Sequence, residues 1–256
     1  MSTVVDGRRS VAVRSAAVLY GVVCYMAFVV VFGYAIGFVT GALVPRSVDS
    51  ALTAPVAQAV VIDVALLTVF ALQHSVMARP GFKRWWARYV PAAIERSTYV
   101  LFSSAALALV FWQWREIGTT VWQVDSEPVR LVLAVLAGVG WVTVVASTFM
   151  IDHFEMFGLR QILHVWRAKP MSGKGFRMVL LYRLIRHPLY LGFLIAFWST
   201  PTMTGGHLVF AATTTVYILV AVRFEERDLA AELGDPYRRY RQRVPMLCPF
   251  PVRRAQ

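Results

Sequence analysis

The sequence has little of what a soluble domain is built from. Only 16% of its 256 residues are charged and 58% are hydrophobic, whereas soluble domains average about 25% charged and about 45–50% apolar residues. Two cysteines, Cys24 and Cys248, are too few for a disulfide framework or a zinc cluster, and the histidines lack the spacing of metal ligands. No Gly-x-Gly-x-x-Gly is present after a strand pattern, so a soluble Rossmann domain is not encoded. These absences exclude the common soluble classes.

Long apolar runs take the place of these features. A membrane-crossing helix needs about 20 mostly apolar residues, and four runs satisfy this requirement: residues 16–44, 56–77, 98–114 and 129–151. Two shorter runs, residues 188–204 and 207–222, are separated by a Thr-Gly-Gly turn signal and predict a helical hairpin. The sequence therefore predicts an all-α integral membrane protein with about six transmembrane helices, four spans plus a C-terminal hairpin.

The basic residues predict the orientation of this bundle. All but three of the 26 lysines and arginines fall in the two tails or in the second and fourth loops, which share one side of a six-span arrangement. The exceptions are Arg46, Arg115 and Arg130. The positive-inside rule then places both termini and these loops in the cytoplasm, in a bacterial-type inner or plasma membrane. The net charge of +12 reflects this topology and attraction to membrane lipid, and it requires no nucleic acid.

Aromatic and small residues mark the predicted spans. Five tryptophans near span ends are expected in the interfacial aromatic belt, namely Trp85, Trp86, Trp112, Trp114 and Trp122. Gly33, Gly37 and Gly41 are spaced four residues apart in the first span. They either allow another helix to approach closely or are ordinary membrane-helix glycines.

The polar residues gather on the predicted cytoplasmic side. Residues 152–187 form a polar loop that is long enough to favour a functional role over a simple connection. The last apolar helix continues past the membrane to residue 233 and stops at Gly234, and residues 237–244 form a second amphipathic stretch. We expect these segments to form a cytosolic cap.

Two motifs lie in this cap. Residues 186–192 read Arg-His-Pro-Leu-Tyr-Leu-Gly, with Pro188 suited to the first turn of a helix and His187 to its N-cap. The second motif begins with the adjacent acids Glu225 and Glu226 and continues to Gly-x-x-Tyr-x-x-Tyr and Val-Pro at residues 234–245. Read separately, each is equally well explained by an ordinary membrane boundary, with the acids paired to neighbouring arginines on a solvated helix face.

Together, the order and spacing of these motifs around an apolar hairpin resemble the isoprenylcysteine carboxyl methyltransferase superfamily, over residues 182–249. Residues 151–161 (Ile-Asp-His-Phe-Glu-Met-Phe-Gly-Leu-Arg-Gln) and residues 71–75 (Ala-Leu-Gln-His-Ser) look like a narrower group, the membrane-bound methanethiol S-methyltransferases. The resemblance implies an enzyme that uses S-adenosylmethionine to methylate a small thiol, methanethiol, to dimethyl sulfide. Residues 1–151 would form the N-terminal transmembrane region, and residues 152–256 the cofactor-binding methyltransferase region.

The resemblance also implies a cofactor pocket formed by the loop, the base of the hairpin and the extended helix. The residues that it would contribute are Gln161, Tyr182, Arg186, His187, Tyr190, Gly192, Glu225, Glu226, Tyr237 and Tyr240. Glu226, with Glu225 as second candidate, would face the ribose hydroxyls or the amino group. Tyr237 and Tyr240 would close over the adenine.

The proposed reaction also needs a reactive sulfur. The thiolate is the nucleophile, and a thiol has an ordinary pKa of about 8.5, so a base, a nearby positive charge or both are required. His153, Asp152 and His74 are the candidate proton acceptors, because all three follow or close predicted spans on the cytoplasmic side. Arg160 either stabilises the thiolate or anchors lipid phosphates. Asp63 lies inside a span, where a charge is costly, and its role is open.

Two other functions are compatible with the sequence. A methyltransferase of the same superfamily that acts on isoprenylcysteine or a phospholipid would carry the same motifs. A non-enzymatic membrane scaffold or a small transporter belongs to a different class; transporters usually show internal repeats, and no convincing repeat relates the two halves. Neither the oligomeric state nor the natural thiol follows from the sequence.

Overall fold

A computed structural model of the chain describes residues 11–167 and 179–248. Within these residues the chain forms α1 (Val11–Thr40), α2 (Val56–Ala78), α3 (Pro80–Trp86), α4 (Glu95–Gln113), β1 (Thr120–Gln123), α5 (Glu127–Ile151), α6 (His153–Met156), α7 (Leu159–Trp166), a 3-10 turn (Leu180–Arg183), α8 (Pro188–Trp198), β2 (Thr202–Thr204), α9 (Gly205–Leu233) and α10 (Asp235–Arg243). The all-α prediction is confirmed, with the addition of one pair of short antiparallel strands, β1 and β2.

Four helices, α1, α2, α5 and α9, are long and apolar enough to cross a membrane. Only 17% of the most apolar window is buried within the protein in α2, and the same share in α5. The remaining apolar surface of these helices must therefore be covered by lipid, because exposing so much apolar surface to water would cost a large amount of free energy. The chain is an integral membrane protein.

The long helices pack side by side and reverse direction at each connection. Helix α4 lies against α1 and α2, α9 lies against α2, and α8 lies along α5. At one end of the bundle, β1 pairs with β2, and the Trp114 indole N–H donates to the Val48 carbonyl at 3.2 Å. We call this the strand end. Helices α3, α6, α7 and α10 follow the opposite ends of α2, α5 and α9, and we call that side the cap end.

Trp114 does not lie in an interfacial belt, which corrects the sequence prediction. Its side chain is 0% exposed and packs edge-on against Phe38 and Phe210, in the largest apolar cluster of the bundle. The chain turns inward directly after α4, so the indole is directed into the bundle. Trp112, two residues earlier, is 62% exposed, as expected for a belt residue.

The glycines at positions 33, 37 and 41 do not form a helix-helix contact. A Cβ on Gly37 would lie 2.6 Å from the Ala42 carbonyl and would overlap Val44, so this glycine accommodates the chain's own return after α1. A Cβ on Gly33 would meet nothing within 4 Å. Gly41 ends the helix with a positive φ of 71°. Of the two alternatives for these residues, the structure agrees better with ordinary helix glycines than with a site of close helix approach.

The C-terminal hairpin differs from its prediction. Helix α8 contains 11 residues, about 16 Å of helix, so it is shorter than the apolar run of residues 188–204. The chain then extends through β2, and the predicted tight turn at Gly205 and Gly206 is instead the first turn of α9. The Thr204 hydroxyl caps this turn by accepting from the His207 N–H at 3.1 Å. Because β2 pairs with β1, the segment cannot continue the α8 helix.

The cap end agrees with the prediction more closely. Helix α9 is continuous to Leu233 and ends at Gly234, whose φ is 64°. Helix α10 follows directly, as the amphipathic stretch predicted. The long loop contains α6, α7 and the 3-10 turn, while residues 168–178 lie outside the described part of the chain. The tail then returns to α8, with the Arg186 N–H donating to the Pro245 carbonyl at 2.9 Å and the His187 N–H to the Met246 carbonyl at 3.2 Å.

Candidate functional site

The start of α8 presents a buried histidine to the end of α9. Pro188 occupies the first turn, where its missing N–H costs no helical hydrogen bond, and His187 is the N-cap, as predicted. The His187 side chain makes no capping bond and is 5% exposed. Its Nε2 lies 3.1 Å from Oε1 of Glu226. Because a carboxylate only accepts, Nε2 carries the hydrogen in this contact.

Arg186 binds the same carboxylate oxygen. Its Nε donates to Oε1 of Glu226 at 2.6 Å, and its Nη1 donates to the carbonyls of Arg241 (2.6 Å) and Val244 (2.8 Å). The guanidinium therefore connects α9 to α10 and to the chain that follows. Both ionic side chains are about one-tenth exposed, so this ion pair is far less screened by water than a surface pair.

Tyrosines surround the two acids. The Tyr190 hydroxyl donates to Oε2 of Glu225 at 2.9 Å, and the Tyr240 hydroxyl donates to the Tyr182 carbonyl at 2.6 Å. The Tyr237 ring lies 5.8 Å from that of Tyr240. We call the eight side chains that meet here the Arg186–Glu226 cluster: Tyr182, Arg186, His187, Tyr190, Glu225, Glu226, Tyr237 and Tyr240.

Burial and negative charge keep the phenols of this cluster protonated. Burial raises the pKa of Tyr240 to about 12, with the charge of Glu226 acting in the same direction. Burial also raises the pKa of Tyr237, reinforced by Glu226, and burial together with Glu225 raises the pKa of Tyr182. All three phenols are therefore hydrogen-bond donors at neutral pH.

Two predicted cofactor residues lie outside this cluster. A Cβ on Gly192 would lie 2.8 Å from the Gly140 carbonyl and 2.9 Å from Val144, so the glycine allows α8 and α5 to touch. Gln161 lies on α7, and among the described residues its buried Oε1 has no hydrogen-bond partner. The same residues contain no group of three or more His, Cys, Asp or Glu side chains able to hold a metal ion.

The predicted catalytic residues occupy two separate places. Asp152 caps α6 by accepting from the Glu155 N–H at 3.2 Å, and it forms an ion pair with Arg160. Arg160 also lies 3.2 Å from Oε2 of Glu155. Its positive charge is thus shared between two carboxylates of its own segment, which reduces its attraction for a lipid phosphate or a thiolate.

His153 is enclosed by its neighbours. The Thr148 hydroxyl donates to the Val145 carbonyl at 2.7 Å, so it accepts from Nδ1–H of His153 at 2.8 Å. Nε2 then accepts from the Tyr25 hydroxyl at 2.9 Å, and the Phe149 ring stacks on the imidazole at 4.2 Å. Burial lowers the pKa of His153. The imidazole is neutral at pH 7 and joins α1 to α5.

His74 lies on α2, among side chains of α4. Its Nδ1 is 3.1 Å from the Ser103 hydroxyl, and the Tyr99 hydroxyl is 3.0 Å from its Nε2. The Phe70 ring stacks on the imidazole. Sequence analysis did not single out Tyr99 or Ser103, although both are polar residues in the apolar run of residues 98–114 and that pattern could have identified them.

Asp63 has a structural partner that the sequence does not indicate. Its side chain is 0% exposed, and Oδ1 accepts from the Arg115 N–H at 2.9 Å. Arg115 follows α4 at the strand end, so the carboxylate holds the turn that directs Trp114 inward. A backbone donor thus provides the partner of this buried acid.

Comparison with known proteins identifies relatives over most of the chain. A family model described as NnrU protein matches residues 63–247. A methanethiol S-methyltransferase of Mycobacterium tuberculosis is 58% identical over 240 residues, which cover 94% of this chain and 98% of the relative. Methanethiol S-methyltransferase 2 of Bradyrhizobium diazoefficiens is 54% identical over 92% of this chain and 91% of its own length. Nurim of Mus musculus is 32% identical over 65% of this chain and 66% of its own length. No solved structure matches.

Proposed function

This chain belongs to the NnrU protein family, within the isoprenylcysteine carboxyl methyltransferase superfamily, and we propose that it is a membrane methyltransferase that converts methanethiol to dimethyl sulfide. Relatives at 50–58% identity over more than nine-tenths of this chain bear the name methanethiol S-methyltransferase. An enzyme of this kind needs a methyl donor, and we propose that the donor is S-adenosylmethionine.

The observation that carries the proposal is the meeting of His187, Arg186 and Glu226 at one carboxylate oxygen. The motifs that supply these side chains are separated by α8 and most of α9. A buried carboxylate held by two donors is preorganised, because its position no longer depends on solvent. The second acid of the pair, Glu225, is held by Tyr190 in the same way.

The chemistry of this donor set fits the proposed cofactor. S-adenosylmethionine would supply an electrophilic methyl group on a positively charged sulfur. The carboxylates of Glu225 and Glu226 suit its ribose hydroxyls, its amino group and its cationic centre, and the rings of Tyr190, Tyr237 and Tyr240 suit the adenine and the sulfonium.

Glu226 also has one oxygen that a ligand can use. Within the described residues, the hydrogen bonds of Glu226 all involve Oε1, so Oε2 is available to a ligand. We propose that Tyr182, Arg186 and His187 hold these acids and rings in place. Gln161 and Gly192 are proposed as contacts at the edge of the cofactor site.

The catalytic step requires a thiolate close to this cluster. We propose that one of the three candidates His153, Asp152 and His74 accepts the thiol proton, and that an arginine of the cap end, for which Arg160 is the candidate from the sequence, supplies positive charge. A site between apolar helices would exclude water and strengthen the attraction between thiolate and sulfonium. Much of the rate enhancement then comes from holding the reacting atoms in line.

We further propose that the chain crosses the bilayer six times, with the short α8 and the extended residues 199–204 together making one crossing, and that the cap end and both termini lie in the cytoplasm. The alternating directions of α1, α2, α4, α5, α8 and α9 support this arrangement, with residues 1–151 forming the transmembrane region and residues 152–256 the cofactor-binding region.

The two cysteines of the chain allow a labelling test of this orientation, because Cys248 is exposed and Cys24 is buried. A membrane-impermeant maleimide should label Cys248 in inside-out vesicles and not in intact spheroplasts. A Cys248→Ser, Asp125→Cys variant, which moves the thiol to the strand end, should give the reverse; equal labelling would overturn the orientation.

The direct test of function is turnover by the purified protein in nanodiscs. Methanethiol and S-adenosylmethionine carrying a labelled methyl group should yield labelled dimethyl sulfide in the headspace. A farnesylated cysteine analogue and phosphatidylethanolamine serve as competing acceptors. Transfer to these acceptors alone would favour the lipid-modifying alternative, and absence of both cofactor binding and turnover would favour a non-enzymatic scaffold.

A further inference from the structure

A group of polar side chains lies between the membrane-spanning helices, apart from the residues already assigned to the cofactor. It comprises His74 and Ser75 of α2, Tyr99 and Ser103 of α4, and Tyr217 of α9, and we call it the intramembrane polar cluster. The Tyr99 hydroxyl lies 3.0 Å from Nε2 and 3.1 Å from Nδ1 of His74, and the Ser75 hydroxyl donates to that of Tyr217 at 3.3 Å. Polar side chains at such positions are costly and usually functional.

This cluster adjoins the Glu225 side of the Arg186–Glu226 cluster. The negative charge of Glu225 acts on Tyr99 and on Tyr217, and both of these phenols act electrostatically on Tyr190. Tyr190 itself donates to Glu225 at 2.9 Å. The intramembrane polar cluster therefore lies within electrostatic range of Tyr190 and of Glu225.

A positive charge lies on the other side of Tyr99. The Arg96 guanidinium is 5.6 Å from the centre of the Tyr99 ring, and its Nε donates to the Met156 carbonyl at 3.0 Å. Its charge acts on both Tyr99 and His74. Arg96 has no carboxylate partner among the described residues, unlike Arg160, and its charge is therefore available to an anion formed beside Tyr99.

A second hydrogen-bonded Tyr–His pair, formed by Tyr25 and His153, lacks these features. Tyr25 donates to His153 in the same manner, but the remaining contacts of that imidazole are the Thr148 hydroxyl and the rings of Phe149, Phe154 and Phe157. Burial is the cause of its lowered pKa. A thiol at His153 would have to displace Tyr25, and Arg160, which pairs with the adjacent Asp152, is already shared between two carboxylates.

We propose that the thiol binds against Tyr99 in the intramembrane polar cluster, and that the Tyr99–His74 pair accepts its proton while Arg96 stabilises the thiolate. This inference rests on the proposed function. The S–H bond breaks and its proton passes to the Tyr99 oxygen, as the phenolic proton passes to a ring nitrogen of His74. A sulfur lone pair forms the new bond to the methyl carbon, and the carbon–sulfur bond of the donor breaks with its electron pair remaining on the departing sulfur.

The test compares two thiols that differ in acidity. His74→Gln and Tyr99→Phe should each lower the rate with methanethiol by about a hundredfold. With 2,2,2-trifluoroethanethiol, which is largely ionised at pH 8, the same variants should lose far less, because a preformed thiolate needs no base. A merely structural role would lower both rates by one factor. Tyr99→Phe keeps the ring and therefore tests the pair even if His74→Gln does not fold.

Three controls separate the possible failures. His153→Gln should lower both rates equally, and Thr68→Ala, an exposed change on α2, should alter neither. Binding of labelled S-adenosylmethionine by equilibrium dialysis should be little changed in His74→Gln. Equal losses with the two thiols, in variants that still bind the cofactor, would overturn this inference and leave the proposed function intact. Absence of turnover with any thiol in the wild-type protein would overturn the proposed function itself.

Discussion

Nε2 of His187 and Oε1 of Glu226, from residues 39 positions apart in the chain, lie 3.1 Å from each other. The contact joins the first turn of α8 to α9 at the cap end. Arg186 binds the same oxygen at 2.6 Å and also donates to the carbonyls of Arg241 and Val244, so the ion pair links three segments of the chain. Replacement of Glu226 should therefore affect both ligand binding and stability.

Glu226→Gln should weaken binding of S-adenosylmethionine by about tenfold or more, equivalent to about 1.4 kcal/mol. It should also lower the free energy of unfolding by about 1–3 kcal/mol, because Arg186 loses a charged acceptor in a poorly hydrated place. Isothermal titration and thermal melting in detergent measure the two effects. Glu232→Gln, an exposed change on the same helix, is the matched control. Wild-type affinity in Glu226→Gln would contradict the assignment of the cofactor site.

The contact between α5 and α8 predicts a strong effect of single methyl groups. A Cβ on Gly140 would lie 2.6 Å from the Ala196 nitrogen, and one on Gly192 would lie 2.8 Å from the Gly140 carbonyl. Gly140→Ala and Gly192→Ala should each destabilise the protein by about 1–3 kcal/mol, since the helices must separate. Gly138→Ala meets nothing within 4 Å and should be neutral or stabilising by up to about 1 kcal/mol. Similar melting temperatures for all three variants would contradict the close packing.

His153 predicts a loss of stability in acid. Burial lowers its pKa in the folded protein, while in the unfolded chain it titrates near pH 6.5. Below about pH 6.5 the unfolded state therefore binds the additional proton, and the free energy of unfolding falls until the pH is below the folded-state pKa. His153→Gln should remove this part of the decline. Melting temperatures from pH 7.5 to 5 measure it, and an unchanged slope in the variant would show that other groups cause the decline.

Asp63 is predicted to act through one hydrogen bond rather than through its charge. Its Oδ1 accepts from the Arg115 N–H at 2.9 Å, and an asparagine oxygen can accept in the same place. Asp63→Asn should retain stability and turnover, whereas Asp63→Ala leaves a donor without a partner and should cost about 1–3 kcal/mol. If Asp63→Asn abolishes turnover while the protein remains folded, the charge itself has a function.

The sequence predicted the parts of the site that depend on local pattern. Pro188 and Gly234 are backbone signals, and they placed the start of α8 and the end of α9 correctly. The spacing of apolar residues identified every long helix. The association of His187 with Glu226 required the resemblance to a family, because nothing local indicates which two segments meet.

What the sequence could not predict depends on contacts between distant segments. The sequence around Gly192 would look the same whether this glycine makes room for a ligand or for a neighbouring helix. Only its contact with Gly140 in the structure shows that it makes room for a helix. Trp114 lies at a span end in sequence, yet the return of the chain after α4 buries it. Likewise, no spacing rule relates His74 to Tyr99, since their contact depends on how α2 packs on α4.

The hydrogen bonds from Arg186 and His187 to residues 244–246 have a consequence for biosynthesis. These last partners leave the ribosome after every other residue of the site, when the helices have already entered the bilayer. The site of a nascent polypeptide therefore cannot be completed before residues 244–246 have been synthesised. A product terminated by a nonsense codon before Val244 would keep the Arg186–Glu226 ion pair, but the backbone N–H groups of Arg186 and His187 would lack their acceptors at Pro245 and Met246.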